Sequence, residues 1–450
     1  DGSYRYVIDN SNSTVNALSA GSRSLSDNFI VTLIDVHGQS GEQALAIQIL
    51  GTDDGPISTG VVLNTDIKEA GHLDNGDIAA GTDTTTRSAG ALFANFYDPE
   101  GDTITLEVAS PGILNGTYGS LSINQDGSYS YEIDNSQAHI ESLNEGATVV
   151  DSFTIQLVDG IGFETVETLR FTINGTNDAP VISASTGTTG AVTEEGHNDD
   201  GTTFSGTPSA SGTLISTDVD NNSSASWSIY GASSGTYGSI SVTSAGVWTY
   251  TLDNSLTATQ ELAEGDVQYE TFTARVTDDK GAVADQVITI TVNGSNDVPV
   301  ITTAISDQVF SEAGDAAAQD LNTSGVIAFS DVDALSTIDV SSSLKTAALW
   351  SGGTIPSALK TALESAFSIS GTDVAAPGSV NWSYNPTGLD LDFINANESI
   401  SLTFTVTITD DQGATASDDV TITINGTNDA PVISGSSVTT GAVTEAGHYD

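Results

Sequence analysis

The chain has 450 residues, enough for roughly three to four domains. It carries 9 Lys and Arg against 60 Asp and Glu, a formal net charge of -51, with no Cys and no Met. That balance repels nucleic acid and anionic membranes. The lack of Cys excludes disulfide staples, thiolate ligands and thiol nucleophiles. No run of 18 apolar residues is present, so no transmembrane helix is predicted. A chain that opens on Asp1 and lacks Met reads as an excerpt or a processed product, and no signal peptide is visible. So much negative charge is either a solubility surface or a set of divalent-cation ligands, and placement has to decide between them.

One phrase punctuates the chain. It runs Gly51-Thr-Asp-Asp-Gly-Pro56, Asn174-Gly-Thr-Asn-Asp-Ala-Pro180, Asn293-Gly-Ser-Asn-Asp-Val-Pro299 and Asn425-Gly-Thr-Asn-Asp-Ala-Pro431. The prolines lie 124, 119 and 132 residues apart, one domain per period. The predicted units are the back part of a repeat (1–56), complete repeats at 57–180, 181–299 and 300–431, and the opening of another (432–450). About 19 residues at the end do not replace the roughly 70 that the first unit lacks. The ends therefore read as cuts in a longer array rather than a self-complementing pair.

In chain order, Asp1-Gly-Ser-Tyr-Arg-Tyr-Val-Ile-Asp-Asn10 returns as Asp126-Gly-Ser-Tyr-Ser-Tyr-Glu-Ile-Asp-Asn135, and weakens to Gly246-Val-Trp-Thr-Tyr-Thr-Leu-Asp-Asn254 and Val380-Asn-Trp-Ser-Tyr384. Asp126-Gly127 predicts a tight turn ahead of a Tyr-x-Tyr strand. Phe153–Val158, Val287–Val292 and Phe404–Thr409 alternate with period two, the pattern of half-buried strands. About seven short strands per period predict a two-sheet sandwich. Tyr129, Tyr131, Trp248, Tyr250, Trp382 and Tyr384 are expected to pack in or on it. Leu359, Leu363 and Phe367, four apart, predict one short helix over Ser357–Phe367, covering an open end or edge of the third complete repeat.

Three phrases recurring in order, Asp126–Asn135, the strand leading to Asp159, and Asn174–Pro180, resemble the VCBS repeat family, cadherin-like repeats of very large bacterial surface proteins. The 300–431 unit resembles a longer variant through Asn381–Asp392. The resemblance covers essentially the whole chain. It implies an all-β fold of tandem cadherin- or immunoglobulin-like β-sandwiches in an elongated array. It also implies type I secretion, display on the cell surface as in RTX adhesins, and roles in adhesion and biofilm formation. The partners it implies are neighbouring repeats, with cell-surface glycans or proteins engaged through other domains. The glycine-rich nonapeptide repeats that often end such proteins do not occur here.

The linker phrase is also similar to the calcium motif between cadherin domains. There an early Glu, an Asp-x-Asp pair, and a linker Asn and Asp share Ca2+ ions. Carried over by position, the early Glu is Glu69, Glu194, Glu312 and Glu445. The Asp-x-Asp pair is Asp218 and Asp220, Asp331 and Asp333, with Asp98 and Glu100 in those places in the first complete repeat. The linker pairs are Asp53 and Asp54, Asn177 and Asp178, Asn296 and Asp297, Asn428 and Asp429. Calcium takes six to eight oxygens from such groups, and extracellular modules bind it at about 0.1–1 mM. The bland alternative is turn capping. Turn capping is the reading for the strand-end Asp35, Asp159, Asp278 and Asp410. Asp218–Asn222 is no EF-hand, since Ile229 stands where the closing Glu belongs.

No enzyme is predicted. His37, His72, His139, His197 and His448 include no second His at zinc spacing, and His72, His197 and His448 close a recurring Glu-x-Gly-His phrase that is Glu312-Ala-Gly-Asp315 in the third complete repeat. The acidic phrases recur once per domain, whereas catalysis needs one unrepeated constellation. No phosphate loop or nucleophile elbow is present. The reading is a calcium-stiffened extender. Lateral self-assembly into an extracellular filament or sheath, or a glycan- or protein-binding repeat, are the alternatives.

Overall fold

The structure is a computed structural model that describes residues 2–21, 24–60, 66–73, 77, 84–87, 91–106, 112–198, 200–303, 305–314, 319–370, 372–429 and 441–445. It is a tandem series of β-sandwiches. The first unit contributes a helical turn, α1 (Ser13–Asn16), and a hairpin of β1 (Ser24–Ile34) and β2 (Ser40–Leu50). Its Tyr-x-Tyr segment is not a strand: Tyr4 and Val7 are exposed, and the segment meets β1 through the Tyr6 side chain, whose hydroxyl donates to Asp27 at 2.6 Å. Most of 432–450, with His448, and also Asp315, lie outside the described residues; Glu445 is exposed.

In 57–180 one sheet holds β3 (Asp66–Lys68), β5 (Thr105–Leu106), β9 (Thr148–Val158) and β10 (Glu164–Asn174), in the order β3-β10-β9-β5. The facing sheet holds β4 (Thr84–Arg87), β6 (Gly112–Asn115), β7 (Gly119–Ile123) and β8 (Tyr129–Ile133), in the order β4-β8-β7-β6. In 181–299 the sheets are β11 (Thr189–Thr193), β17 (Val283–Asn293), β16 (Val267–Asp278) and β13 (Ala225–Tyr230), against β12 (Ser209–Thr213), β15 (Val247–Leu252) and β14 (Gly238–Val242). In both, a four-residue helix precedes the long hairpin: α2 (Ala138–Glu141) and α3 (Thr257–Gln260).

The alternation read from sequence is the packing pattern. In β9 the inward Phe153, Ile155 and Leu157 are buried, and Tyr131 stacks on Phe171 at 4.5 Å with an 8° interplanar angle. All six predicted aromatics are buried. Each such side chain contributes about 1.5–3 kcal/mol by leaving water. Two buried carboxylates tie the sheets together. Asp151 accepts from the Tyr131 hydroxyl at 2.9 Å and from the Thr117 and Tyr118 amides. Glu270 does the same for Tyr250, Thr236 and Tyr237.

The 300–431 unit departs from this plan. Its sheets are Val300–Ile301, β19 (Thr323–Ser330), β22 (Gly378–Tyr384) and β21 (Phe367–Ser370), against β18 (Gln308–Ser311), β24 (Thr415–Asn425), β23 (Ser399–Asp410), β20 (Thr337–Trp350) and Val374–Ala375. Leu402 stands where Asp151 and Glu270 stand in the other units, so the Tyr384 hydroxyl is buried with no partner among the described residues. The predicted helix is α4 (Ser357–Glu364), with Leu359 and Leu363 buried against β20. It stops short of Phe367, which opens β21 and stacks on Trp382 at 5.4 Å. The stripe thus continues across a change of element. β20 slips register between Leu344 and Leu349, and the Glu364 carboxylate takes the freed Ala348 amide at 2.9 Å. No helix among the described residues is long and apolar enough to cross a membrane.

Candidate metal centres at the repeat joints

Strand register assembles each joint from two sides. After the linker proline, two residues pair antiparallel with the two that lead into the acidic turn: Ile57 opposite Tyr97, Val181 opposite Thr217, Val300 opposite Ser330. Asp98, Asp218 and Asp331 follow at once, beside the linker. On the preceding repeat the first strand runs parallel to the last. Lys68 lies opposite Asn174, Thr193 opposite Asn293, Ser311 opposite Asn425. The next residues, Glu69, Glu194 and Glu312, therefore meet the start of the linker, and their amides donate to those Asn carbonyls at 3.1, 3.0 and 2.9 Å. The linker glycine is needed for this approach, because a Cβ on Gly175 or Gly294 would collide with the backbone oxygens of Asn144 or Leu262.

At the second joint (174–180) Glu69 is 1 % exposed and accepts the Thr176 amide at 2.8 Å through Oε1. Asp178, also 1 % exposed, accepts the His72 amide and donates its own amide to Asp220 Oδ2 at 3.0 Å. Asp218 Oδ1 takes the Asp220 amide at 3.0 Å. The Asn177 amide group donates to Asp278 Oδ2 at 2.8 Å. What remains is a set of buried oxygens with no hydrogen-bond partner among the described residues: Glu69 Oε2, Asp178 Oδ2, Asp218 Oδ2 and Asp220 Oδ1.

The third joint (293–299) repeats the pattern. Asp297 donates its amide to Asp333 Oδ2 at 2.9 Å, and Asp331 Oδ1 takes the Asp333 amide at 3.0 Å. Asn296 donates to Asp410 Oδ2 at 3.1 Å. Glu194, fully buried, keeps Oε2 unpartnered, as do Asp297 Oδ2 and Asp333 Oδ1. At the first joint (51–56) the Asp54 amide reaches Glu100 Oε2 at 3.4 Å, Asp53 Oδ1 accepts the Ala20 amide at 2.9 Å, and Asp98 Oδ2, Glu100 Oε1 and Asp159 Oδ2 are unpartnered. At the fourth (425–431) Glu312, Asp392 and Asp429 bring ligand oxygens within 4.8 Å of one another. Asn428 lies beside them in sequence, while Glu445 is exposed.

No Lys or Arg ion pair among the described residues balances these groups; His72, near Glu141 and Asp178 at 2.8 and 3.2 Å, and His197, 3.4 Å from Asp297, are the nearby nitrogens. Burial, with neighbouring carboxylates adding to it, pushes Glu69 and Glu194 up to about 8, Asp333 to about 7 and Asp220 to about 6. Glu141, Asp178, Asp297 and Asp331 are raised as well, again chiefly by burial.

Two sets of residues escaped the sequence reading. Asp278 and Asp410 do cap turns: Oδ1 of Asp278 accepts the Lys280, Gly281 and Ala282 amides at 2.8, 2.6 and 2.9 Å. Yet the second oxygen of each faces the linker Asn, so the turn and the joint share one side chain. The other set is Glu141, Gln260 and Asp392. Glu141 is buried beside His72, Gln260 donates to Glu194 Oε1 at 2.8 Å, and Asp392 joins Glu312. Each lies two residues before a buried Leu143, Leu262 or Ile394, as Asn16 does before Leu18. That constant offset is the signal that would have found them.

A family model described as the bacterial cadherin-like domain matches residues 69–175 and 177–294, half of the chain. The chain belongs to this family. The cadherin-like repeats are also similar to solved structures of low identity. They resemble protocadherin PcdhgB3 EC1-4 at 14% identity and TM-score 0.41, over 93% of this chain and 85% of that one. They resemble the protocadherin gamma B4 extracellular domain at 14% and 0.40, over 90% and 61%. Drosophila N-cadherin EC1-4 matches at 13% and 0.29, over 92% and 86%. No curated protein sequence matches the chain.

The donor chemistry of these cadherin-like joints fits a hard divalent cation. The unpartnered groups at the joints are mainly carboxylate oxygens, with the Thr176 hydroxyl and His197 Nδ1 beside them, and the chain has no thiolate. Calcium accepts six to eight such oxygens in flexible geometry, whereas magnesium demands an octahedron and keeps its waters. A buried carboxylate without a donor or a counter-charge costs several kcal/mol, a cost that a bound cation removes.

Proposed function

We propose that this chain is a calcium-stiffened extender segment, or stalk, of a large secreted bacterial cell-surface adhesin, in which other domains bind the glycan or protein target and the repeats support adhesion and biofilm formation. The repeats are bounded at 57–180, 181–299 and 300–431, and the joint carboxylates named above, with Glu141, Asp278, Asp392 and Asp410 added, hold Ca2+. The observation that carries this reading is the recurrence, at the first three joints, of buried carboxylate oxygens that no group among the described residues satisfies. Family membership and the VCBS resemblance support the bacterial-surface setting. Acidic groups that recur once per repeat, at the joints, fit a mechanical part, as does membership of a cadherin-like family. Neighbouring repeats are its primary partners, and calcium sets the angle between them.

The test is Asp297→Ala. The exchange removes a shared oxygen of the third joint and no core side chain. In calcium, small-angle scattering should show a shorter maximum dimension and a more flexible profile than the unsubstituted chain, with far-ultraviolet circular dichroism unchanged. Identical scattering from the two proteins would count against the reading.

A further inference from the structure

One sheet face of the second complete repeat carries no net charge, in a chain with 60 Asp and Glu against 9 Lys and Arg. On β11, β13, β16 and β17 the outward side chains are mostly Thr, Ser and Val, with Tyr230 and Tyr269 among them. Arg275 and Asp285 are the charged residues that point outward on these strands, and they neutralise each other. Arg275 Nε and Nη2 donate to Asp285 Oδ1 and Oδ2, both at 2.7 Å.

Both tyrosines are open to solvent, Tyr230 at 55 % and Tyr269 at 67 %. The Arg275 guanidinium carbon lies 3.6 Å from the centroid of the Tyr230 ring. Arg275 therefore reaches from Tyr230 on β13, across β16, to Asp285 on β17, and fixes the ring in place. β13 is the edge strand, so no further strand of the sheet lies beyond that ring. Tyr269 precedes Thr273, the residue opposite Tyr230, by four positions on β16. That is about 13 Å along the strand, with Thr271 and Thr273 between the rings.

The sandwich does not require this arrangement. Counted back from the strand-end Asp278, Asp159 and Asp410, the place of Tyr269 holds Val150 and Ser401 in the other repeats. The place of Arg275 holds Gln156 and Thr407. Ser343, opposite Thr405, stands where Tyr230 would be in the 300–431 unit. The face belongs to one repeat, unlike the acidic phrases of the joints.

We propose that this face binds a neutral polysaccharide, so that the stalk grips glycan along its flank in addition to holding its target-binding domains away from the cell. An exposed, preset aromatic ring offers a flat apolar surface at little entropic cost, which suits the C–H face of a sugar. The threonine hydroxyls, and the donors and lone pairs that Arg275 and Asp285 keep beyond their mutual bonds, suit the sugar hydroxyls. A polyanion is disfavoured by the net charge of -51. A protein partner would call for a contiguous apolar centre, whereas here hydroxyl-bearing positions separate the rings. Tyr230 and Tyr269 are the contact residues, and Arg275 is a positioning residue for Tyr230.

The test is native affinity electrophoresis of the full chain, in excess calcium, through gels that contain hydroxyethylcellulose, dextran or mannan, with alginate as the anionic control. At least one neutral polymer should retard the chain, and alginate should not. Tyr230→Ala and Tyr269→Ala should each weaken the retardation by about fivefold or more, and the double exchange should abolish it. Tyr269→Phe, which keeps the ring, should retain it, as should Val150→Ala at the equivalent exposed place of the preceding repeat. Circular dichroism should be the same for all of these proteins. Migration unaffected by every neutral polymer, or retardation that survives the double exchange, would overturn the proposal. So would concentration-dependent self-association in ultracentrifugation that the double exchange abolishes, since the face would then be a contact between copies of the chain.

Discussion

Glu194→Gln should change stability in opposite directions according to whether calcium is present. In chelator the carboxylate is fully buried, raised by desolvation and by Asp297 and Asp333 nearby. At pH 8.5, above the folded value near 8, Gln keeps an oxygen for the Gln260 side chain and removes the charge, so the second complete repeat should gain about 1–3 kcal/mol. In calcium the same exchange deletes a ligand of full charge. A ligand at about 100 times its dissociation constant stabilises a folded unit by about 2.7 kcal/mol, and most of that increment should vanish. Calorimetric unfolding of both proteins in both buffers reads the crossover, with exposed Glu264→Gln as the surface control. A loss of stability in chelator would contradict the account of Glu194 as an unpaired buried charge.

The stabilisation by calcium should likewise depend on pH. Glu69 and Glu194 stand near 8 in the folded chain, Asp333 near 7 and Asp220 near 6, all above the ordinary carboxylate range because burial disfavours the charged form. The folded state therefore holds these protons more tightly than the unfolded one. The stability they contribute is full below the unfolded values near 4 and is lost as pH rises through 6 to 8. In chelator the melting temperature should climb as pH falls from 8.5 to 5.5. In excess calcium the ion keeps the carboxylates deprotonated and competes with protons, so the calcium increment should shrink over the same range. The two curves converge toward pH 5.5, which stays above the isoelectric point of about 4.1. Parallel curves would mean that the titrating groups and the calcium ligands are different residues.

Much of this was visible in the sequence because the joint is built from phrases that recur in register. The linker, the early Glu and the acidic pair each sit next to a strand end, so local pattern placed them within reach of one another. Glu141, Gln260 and Asp392 were hidden because their residue type changes from repeat to repeat and only their offset from a buried aliphatic side chain is constant. Asp278 and Asp410 were half legible. Their turn role follows from neighbouring residues, but the oxygen that faces the linker is placed by the long hairpin's register, which local sequence does not state. The inserted helix, Ser357–Glu364, buries Leu359 and Leu363, two of the three side chains of the apolar stripe. It ends three residues before Phe367 because that ring is claimed by stacking on Trp382 of the neighbouring strand and on Phe404 of the facing sheet.

Thermal unfolding of the whole chain in chelator, in excess calcium and in equal magnesium tests the central claim most directly. The account predicts a large rise in melting temperature with calcium and little with magnesium, because the joints offer many carboxylate oxygens in irregular geometry. Small and equal rises with both ions would mean that the negative charge is only being screened, and would contradict specific calcium sites at the joints.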